Sequence, residues 1–330
     1  MADRYLEVIV PAGRREAVEK VLAEQPATWS WHHESAGRAI YRLLVPAERV
    51  EALLDPLQAR LAGEEDFRVV VLRVEASLPR PPAEAEEASA ETDEKPSPAR
   101  VAREELYAAL DDQARVTPVF LASVALSTVV AAIGLGRDNA AVVIGAMVIA
   151  PLLGPNMALS LATTLGDPDL GRRALRTSLA GMGLALAVAL LLGWMPFVET
   201  GSSELAARAD IGPADILLAL AAGAAGALAF TAGVSAALVG VMVAVALLPP
   251  LVGFGIFLVR GDGRALPALL LLAVNVICVN LAGVGVFLAQ GIHPRTWWEA
   301  ERSKRRSRRA LALWLGLLAV AAVLVWFAGG

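Results

Sequence analysis

Residues 144–167, IGAMVIAPLLGPNMALSLATTLGD, and residues 239–262, VGVMVAVALLPPLVGFGIFLVRGD, read as two copies of one pattern set 95 residues apart. Aligned without a gap, 8 of 24 positions are identical: Gly145/Gly240, Met147/Met242, Val148/Val243, Leu152/Leu247, Leu153/Leu248, Pro155/Pro250, Gly166/Gly261 and Asp167/Asp262. Pro118 and Pro213 keep the same offset, so the register reaches back through the preceding apolar segment. Ala, Leu, Gly and Val dominate both stretches and match easily by chance. The shared Gly-Asp ends are harder to obtain that way, and they tip the reading towards duplication. Paired apolar segments interrupted by proline and glycine at corresponding places point to a transporter-like site.

Outward from this pair, seven apolar segments are long enough to consider as spans: 117–135, 139–165, 174–198, 213–231, 234–259, 265–290 and 310–328. The yardstick is a rise of about 1.5 Å per residue against a hydrocarbon core of roughly 30 Å. The fold class expected is an α-helical polytopic membrane protein with an inverted 3+3 repeat. Repeat 1 covers 117–200 and repeat 2 covers 212–290; a basic loop at 291–309 leads to a seventh span at 310–330. Three spans per repeat is an odd number, so the second copy enters from the opposite face. The fourth span is rich in small residues from Ala221 to Ala227 and is expected to lie buried in the bundle, where small faces let helices approach.

Prolines set the character of the second and fifth spans. Pro151 and Pro155 in one, and Pro249 and Pro250 in the other, cannot donate backbone hydrogen bonds and clash with the preceding turn. Gly154 and Gly253 add backbone freedom beside them. Broken backbone at this depth is tolerated only where protein or water covers it. Two breaks meeting near the midplane would offer free amide and carbonyl groups to a solute. Plain kinked helices and re-entrant hairpins are the alternatives, although 26–27 residues suit one interrupted crossing better than two short arms. Ala246 stands where the first copy has Pro151, so the breaks need not be equivalent.

Polar residues inside the spans are few: Ser127, Thr128, Asn156, Ser160, Thr163, Thr164, Asn275 and Asn280. Asp, Glu, Lys and Arg keep away from span centres, which argues against a carboxylate proton relay. The candidate pathway residues are therefore Gly145, Pro151, Gly154, Pro155, Asn156, Gly240, Pro249, Pro250, Gly253, Asn275 and Asn280. For Asn275 and Asn280, hydrogen bonding between helices is an equal reading. Asp167 and Asp262, at span ends, read as loop or cap residues.

Composition agrees with a membrane protein: 56% hydrophobic residues and a mean hydropathy of +0.57. Residues 1–116 hold 15 basic and 23 acidic side chains, net −8, whereas residues 117–330 hold 14 and 10, net +4. With the N-terminus cytoplasmic, 13 basic residues flank the inner ends of spans and four (Arg137, Arg208, Arg260, Arg264) the outer ends. The positive-inside rule thus places the N-terminus in the cytoplasm. No signal peptide is visible, and Cys278 is the sole cysteine.

The acidic region opens with a small domain, residues 1–78. YLEVIVP is a strand; Ala17, Val18, Val21 and Leu22 mark a helix; TWSWHHES and GRAIYRLLVP are strands about a turn at Gly37. Val50, Leu53, Leu54, Leu57 and Leu61 line a second helix containing Pro56, and FRVVVLRVEA is the last strand. The order βαββαβ is the ferredoxin-like α+β plan. His32 and His33 point to opposite strand faces, which argues against joint metal ligation. No metal site, cofactor motif or catalytic constellation is expected. Residues 79–100 have the Pro/Glu/Ala composition of a disordered linker. Residues 101–116 carry a stripe of Val101, Leu106, Ala109, Leu110 and Ala114, an amphipathic juxtamembrane helix.

REELYAAL (103–110), DNAAVVIGAMVIAPLLGP (138–155) and the Gly-Asp turn at 166–167 resemble a prokaryotic membrane family known as domain of unknown function 389, the uncharacterised hydrophobic domain proteins. The resemblance covers roughly residues 100–290 and implies a polytopic inner-membrane protein of bacteria or archaea. It brings no substrate, reaction or catalytic residue. The function expected is transport of a small solute or ion through broken spans 2 and 5, in a homo-oligomer embedded in the bilayer, with no nucleic-acid partner. The alternative is a membrane-anchored sensor or scaffold whose cytoplasmic domain binds a ligand or partner; an enzyme ranks behind both.

Overall fold

The computed structural model describes residues 3–61, 63–64, 66–74, 101–196, 198, 200–233, 247–293 and 297–328. The linker expected at 79–100, and Gly240 and Ala246 of the second copy, lie outside them. The chain divides into two compact units, Met1–Leu106 and Tyr107–Gly330.

In the first unit the order is β1 (Asp3–Pro11), α1 (Arg15–Glu24), β2 (Trp29–Ser35), β3 (Arg38–Pro46), α2 (Val50–Leu61) and β4 (Arg68–Arg73). The sheet runs β2-β3-β1-β4 with every neighbouring pair antiparallel. That order follows from two interleaved βαβ crossovers, each of which leaves a gap that a strand of the other fills. Strict alternation in β1 and β3 puts Leu6, Val8, Val10, Tyr41, Leu43 and Val45 against the helices. Val18 and Val21 of α1, and the whole expected stripe of α2, close this core. Pro56 sits inside α2, which continues past it. His32 stacks on Tyr41 and His33 on Trp31, on opposite faces of β2.

The helix α3 (Arg103–Gln113) contains the division between units. Within the first unit, Arg103 N donates to Glu51 Oε1 at 2.6 Å, and Glu105 pairs with Arg4 and Arg73 at 3.1 and 2.7 Å. Val101, Leu106, Leu110 and Ala114 are buried as the stripe requires, but Ala109 is exposed. At about 100° per residue Ala109 lies beside the stripe rather than on it.

The second unit contains α4 (Pro118–Gly136), α5 (Ala140–Ile149), α6 (Leu153–Leu165), α7 (Pro168–Gly193), α8 (Ser203–Ala206), α9 (Pro213–Thr231), α10 (Leu248–Val259), α11 (Ala265–Ala289) and α12 (Trp297–Ala328). Five of these helices are long and apolar enough to cross a membrane, six crossings if the bent pair α5/α6 is counted as one. The apolar α10 is shorter, and residues 234–246 before it are outside the described set. These helices point to a membrane location.

Two boundaries and one burial pattern depart from those expected. The third span starts at Pro168 rather than 174, because Asp167 accepts from Asp169 N and Leu170 N and proline suits the first helical position. The basic loop at 291–309 is largely helical: α12 runs unbroken from Trp297, a stretch of helix-forming Arg, Ala, Glu and Lys without proline. The fourth span, α9, is not buried all round. Gly223, Gly226 and Ala227 pack inward, while Leu217, Leu218, Ala221 and Ala225 are exposed. Its small residues serve one seam, where Gly223 meets the α11 backbone at Val279.

Candidate functional site

The first break is a real discontinuity. α5 ends at Ile149, Ala150 turns to an extended conformation, and α6 leaves at 53°. Each helix end carries orphan amides or carbonyls there, and Pro155 in the first turn of α6 removes one of the amides. Pro151 is half-buried in the turn; Gly154, Pro155 and Asn156 are buried. In the second copy Pro249 and Pro250 occupy the start of α10, where missing N–H groups cost nothing.

Asn156 and Asn280, 124 residues apart, meet between α6 and α11. Asn280 Nδ2 donates to Asn156 Oδ1 at 2.8 Å and to Val276 O at 2.8 Å; Asn156 Nδ2 donates to Leu152 O at 2.8 Å. Ser160 Oγ lies 3.0 Å from Asn156 O, 3.1 Å from Asn280 O and 3.3 Å from Asn280 Oδ1. Gly283 makes the approach possible, since a Cβ there would stand 2.7 Å from Ser160 Oγ. The other candidates do not join this cluster. Gly145 is exposed on α5 with open space around it, and Asn275 is buried elsewhere on α11, about 140° round the helix from Asn280.

The turns after α6 and α10 are alike in atomic detail. Gly166 and Gly261 both adopt left-handed φ, 65° and 64°, which glycine takes without strain. Gly166 N reaches Thr163 O and Gly261 N reaches Leu258 O, at 3.4 and 3.2 Å; Asp167 N reaches Ala162 O and Asp262 N reaches Phe257 O, both at 2.9 Å. Asp167 Oδ1 then accepts from Asp169 N, and Asp262 Oδ1 from Arg264 N, each at 2.9 Å. Every partner is displaced by the same 95 residues. Asp167 caps α7, whereas Asp262 sits in the loop before α11 and pairs with Arg264 at 2.6 Å. The packing also repeats, α6 lying on α11 and α10 on α7. At the second contact Gly255, offset by 95 from Ser160, rests on Ala189, so the cluster's counterpart is apolar.

Sequence reading missed the segments that lie on α6 and α10. The side chain of Gln113, at the end of α3, lies on Gly154: a Cβ there would sit 2.9 Å from Gln113 Cβ. Arg208, just after α8, lies on Gly253 in the same way, at 3.2 Å. Gln113 and Arg208 are 95 residues apart, as are the fully buried Leu110 and Leu205 and the pair Ala114/Ala209. Extending the gapless register past Pro118 would have found them. Each segment is tied down by polar contacts. On α3, Tyr107 donates to Asp167 Oδ2 at 2.8 Å, Asp111 pairs with Arg173 and Arg115, and Thr177 donates to Ala114 O at 2.7 Å. The hydrogen bond from Arg115, with Arg173 behind it, holds the Asp111 carboxyl below its ordinary value. On α8, Asp138 accepts from Glu204 N at 2.7 Å and Ser203 Oγ at 2.8 Å, which lowers its carboxyl in turn.

Comparison with known proteins places this arrangement in a family. An uncharacterized protein of Methanocaldococcus jannaschii is 32% identical over 326 residues, covering 98% of this chain and 99% of the relative. The model of a domain of unknown function, DUF389, matches residues 147–281. The chain belongs to the DUF389 family. The matched region opens two residues before the end of α5 and closes one residue after Asn280, so it holds the break, the asparagine cluster and both Gly-Asp turns. No solved structure matches the chain. Among the described residues no group of three or more His, Cys, Asp or Glu could hold a metal ion.

Proposed function

We propose that this DUF389 protein is a transporter or channel for a small solute or ion, built from two inverted repeats of three spans, with a seventh span at the C-terminus and the N-terminal unit in the cytoplasm. The observation that carries the reading is the 53° break of α5/α6, continued by a Gly-Asp turn whose hydrogen bonds recur 95 residues later. Broken spans paired through an internal repeat supply a solute with helix ends and amide groups near the midplane. With no charged side chain at the centres of the described spans, the site favours solutes held by hydrogen bonds and helix-end dipoles. α3 and α8 would cover the breaks from opposite faces, and release of one at a time would give alternating access.

Flux into proteoliposomes, tested against a panel of small polar solutes and monovalent ions, checks this. Saturable uptake that falls at least about tenfold in Asn156→Ala supports transport. Silence across the panel, with ligand binding retained by the full chain, would favour the second reading, a membrane-anchored sensor. One observation favours that second reading: the Asn156–Asn280–Ser160 cluster satisfies its own hydrogen bonds, as a packing device does.

A further inference from the structure

The sheet of the N-terminal unit has one face covered by α1 and α2; on the other, Trp29, Trp31, Val70 and Leu72 of the outer strands are exposed. Strand register arranges that open face into three rows across β2, β3, β1 and β4. They are Trp29–Leu44–Tyr5–Leu72, Trp31–Arg42–Glu7–Val70 and His33–Ile40–Ile9–Arg68. Trp29, Trp31, Leu72 and Val70 are 53%, 45%, 52% and 38% exposed, an unusual apolar load for a solvated face. Tryptophan, tyrosine and arginine are also the residues that dominate protein interfaces. Trp31 is held between the His33 ring, 4.9 Å away, and the Arg42 guanidinium at 5.1 Å, so docking would immobilise little that is not already fixed.

The geometry points to a second copy of this chain as the occupant, the two open faces packing about a two-fold axis that runs along the strands between β1 and β3. Such an axis carries β2 over the partner's β4 and β3 over its β1. Row by row, Trp29 falls on Leu72, Trp31 on Val70, and Arg42 on Glu7 of the other copy. Glu7 and Arg42 already pair across strands at 3.6 Å in the middle of the face. The two-fold converts two such pairs into a ring of four alternating charges. Against a lipid surface the same pair is mismatched: anionic headgroups that attract Arg42 repel Glu7, 3.6 Å away from it. Four strands about 4.8 Å apart, each contributing about seven residues at about 3.3 Å, present roughly 450 Å² in projection. That is near half of the about 800 Å² per partner of a stable soluble complex. The contact is therefore weak in free solution and effective between chains confined to one membrane.

The test uses the full chain in liposomes, labelled with donor and acceptor dyes. Energy transfer between wild-type chains is expected to fall at least about fivefold in Glu7→Arg alone and in Arg42→Glu alone. It should return when the two variants are mixed, because each then meets its complement. Trp29→Ser and Leu72→Ser, which alter side chains outside the core, should weaken it as well and serve if a charge reversal misfolds. In a Cys278→Ser background, Trp29→Cys mixed with Leu72→Cys should cross-link with a reagent of about 10 Å, and neither should do so alone. Absence of wild-type association, association indifferent to these substitutions, or no recovery in the mixture would each overturn the proposal.

Discussion

At the scale of single residues, Asn280 carries the most consequence. Its amide is the only side-chain link between Asn156 and α11 among the described contacts, and it is fully buried. Asn280→Ala leaves the buried Asn156 Oδ1 short of a partner, while Ser160 Oγ keeps the backbone carbonyls of Asn156 and Asn280. A loss of about 1–2 kcal/mol is expected, read as a lower unfolding midpoint in detergent. Asn156→Ala combined with Asn280→Ala should cost less than the two singles added together, because the second removes a bond already lost. Gly283→Val should push α6 away from α11, since its Cβ would meet Ser160 Oγ at 2.7 Å and Ser160 Cβ at 2.9 Å. The sequence exposed Asn156 and Asn280 as rare polar groups in apolar runs. It did not show that they touch, because no local pattern encodes a contact across 124 residues.

At the scale of elements, the segments α3 and α8 matter most. Helix positions were legible where caps and prolines punctuate the chain, as at Thr117–Pro118, Asp167–Pro168 and Gly212–Pro213. They were not legible where hydrophobicity alone had to set a boundary, as at the start of α12. α8 is four residues long and gives no periodic signal; only its docking against Asp138 and Gly253 marks it. On α3, the Asp111 carboxyl is held below its ordinary value by Arg115 and Arg173. A carboxyl lowered in the folded state contributes stability above its unfolded value, about 4, and loses that contribution as pH falls through the lowered value. Acid should therefore loosen α3 from α7 below about pH 4, seen as higher mobility of a spin label attached at pH 7 to a cysteine at the exposed Ala109. Asp111→Asn should show the higher mobility already at pH 7 and lose the acid dependence. Arg115 is 61% exposed and its share is screened by salt, so high ionic strength should leave the Arg173 pair as the main tie.

At the scale of the whole molecule, two units with different logic share one chain. The N-terminal unit is readable from alternation and helical stripes, and its strand order follows from the connection rules of a βαββαβ chain. Its open face was not, because the sequence alone does not say which outward-facing apolar residues stay uncovered. In the second unit the recurrence of contacts at one offset, from Leu110/Leu205 to Asp169/Arg264, supports a repeat longer than the 24-residue match that first reveals it. The recurrence ends at Ser160 and Gly255, where one position carries a hydrogen-bonded hydroxyl and the other an apolar contact with Ala189.

The repeat and its inversion can be tested together by sidedness. Gly166 and Gly261 are poor positions for a probe, since cysteine would be strained at a left-handed φ. Asp169 and Gly263 lie just beyond the same turns; the Asp169 side chain is 75% exposed and a Cβ at Gly263 meets open space. With Cys278→Ser as background, Asp169→Cys and Gly263→Cys are introduced one at a time and treated with a membrane-impermeant maleimide in sealed, uniformly oriented vesicles. The inverted repeat predicts that the two cysteines label from opposite sides. Labelling of both from the same side would contradict it.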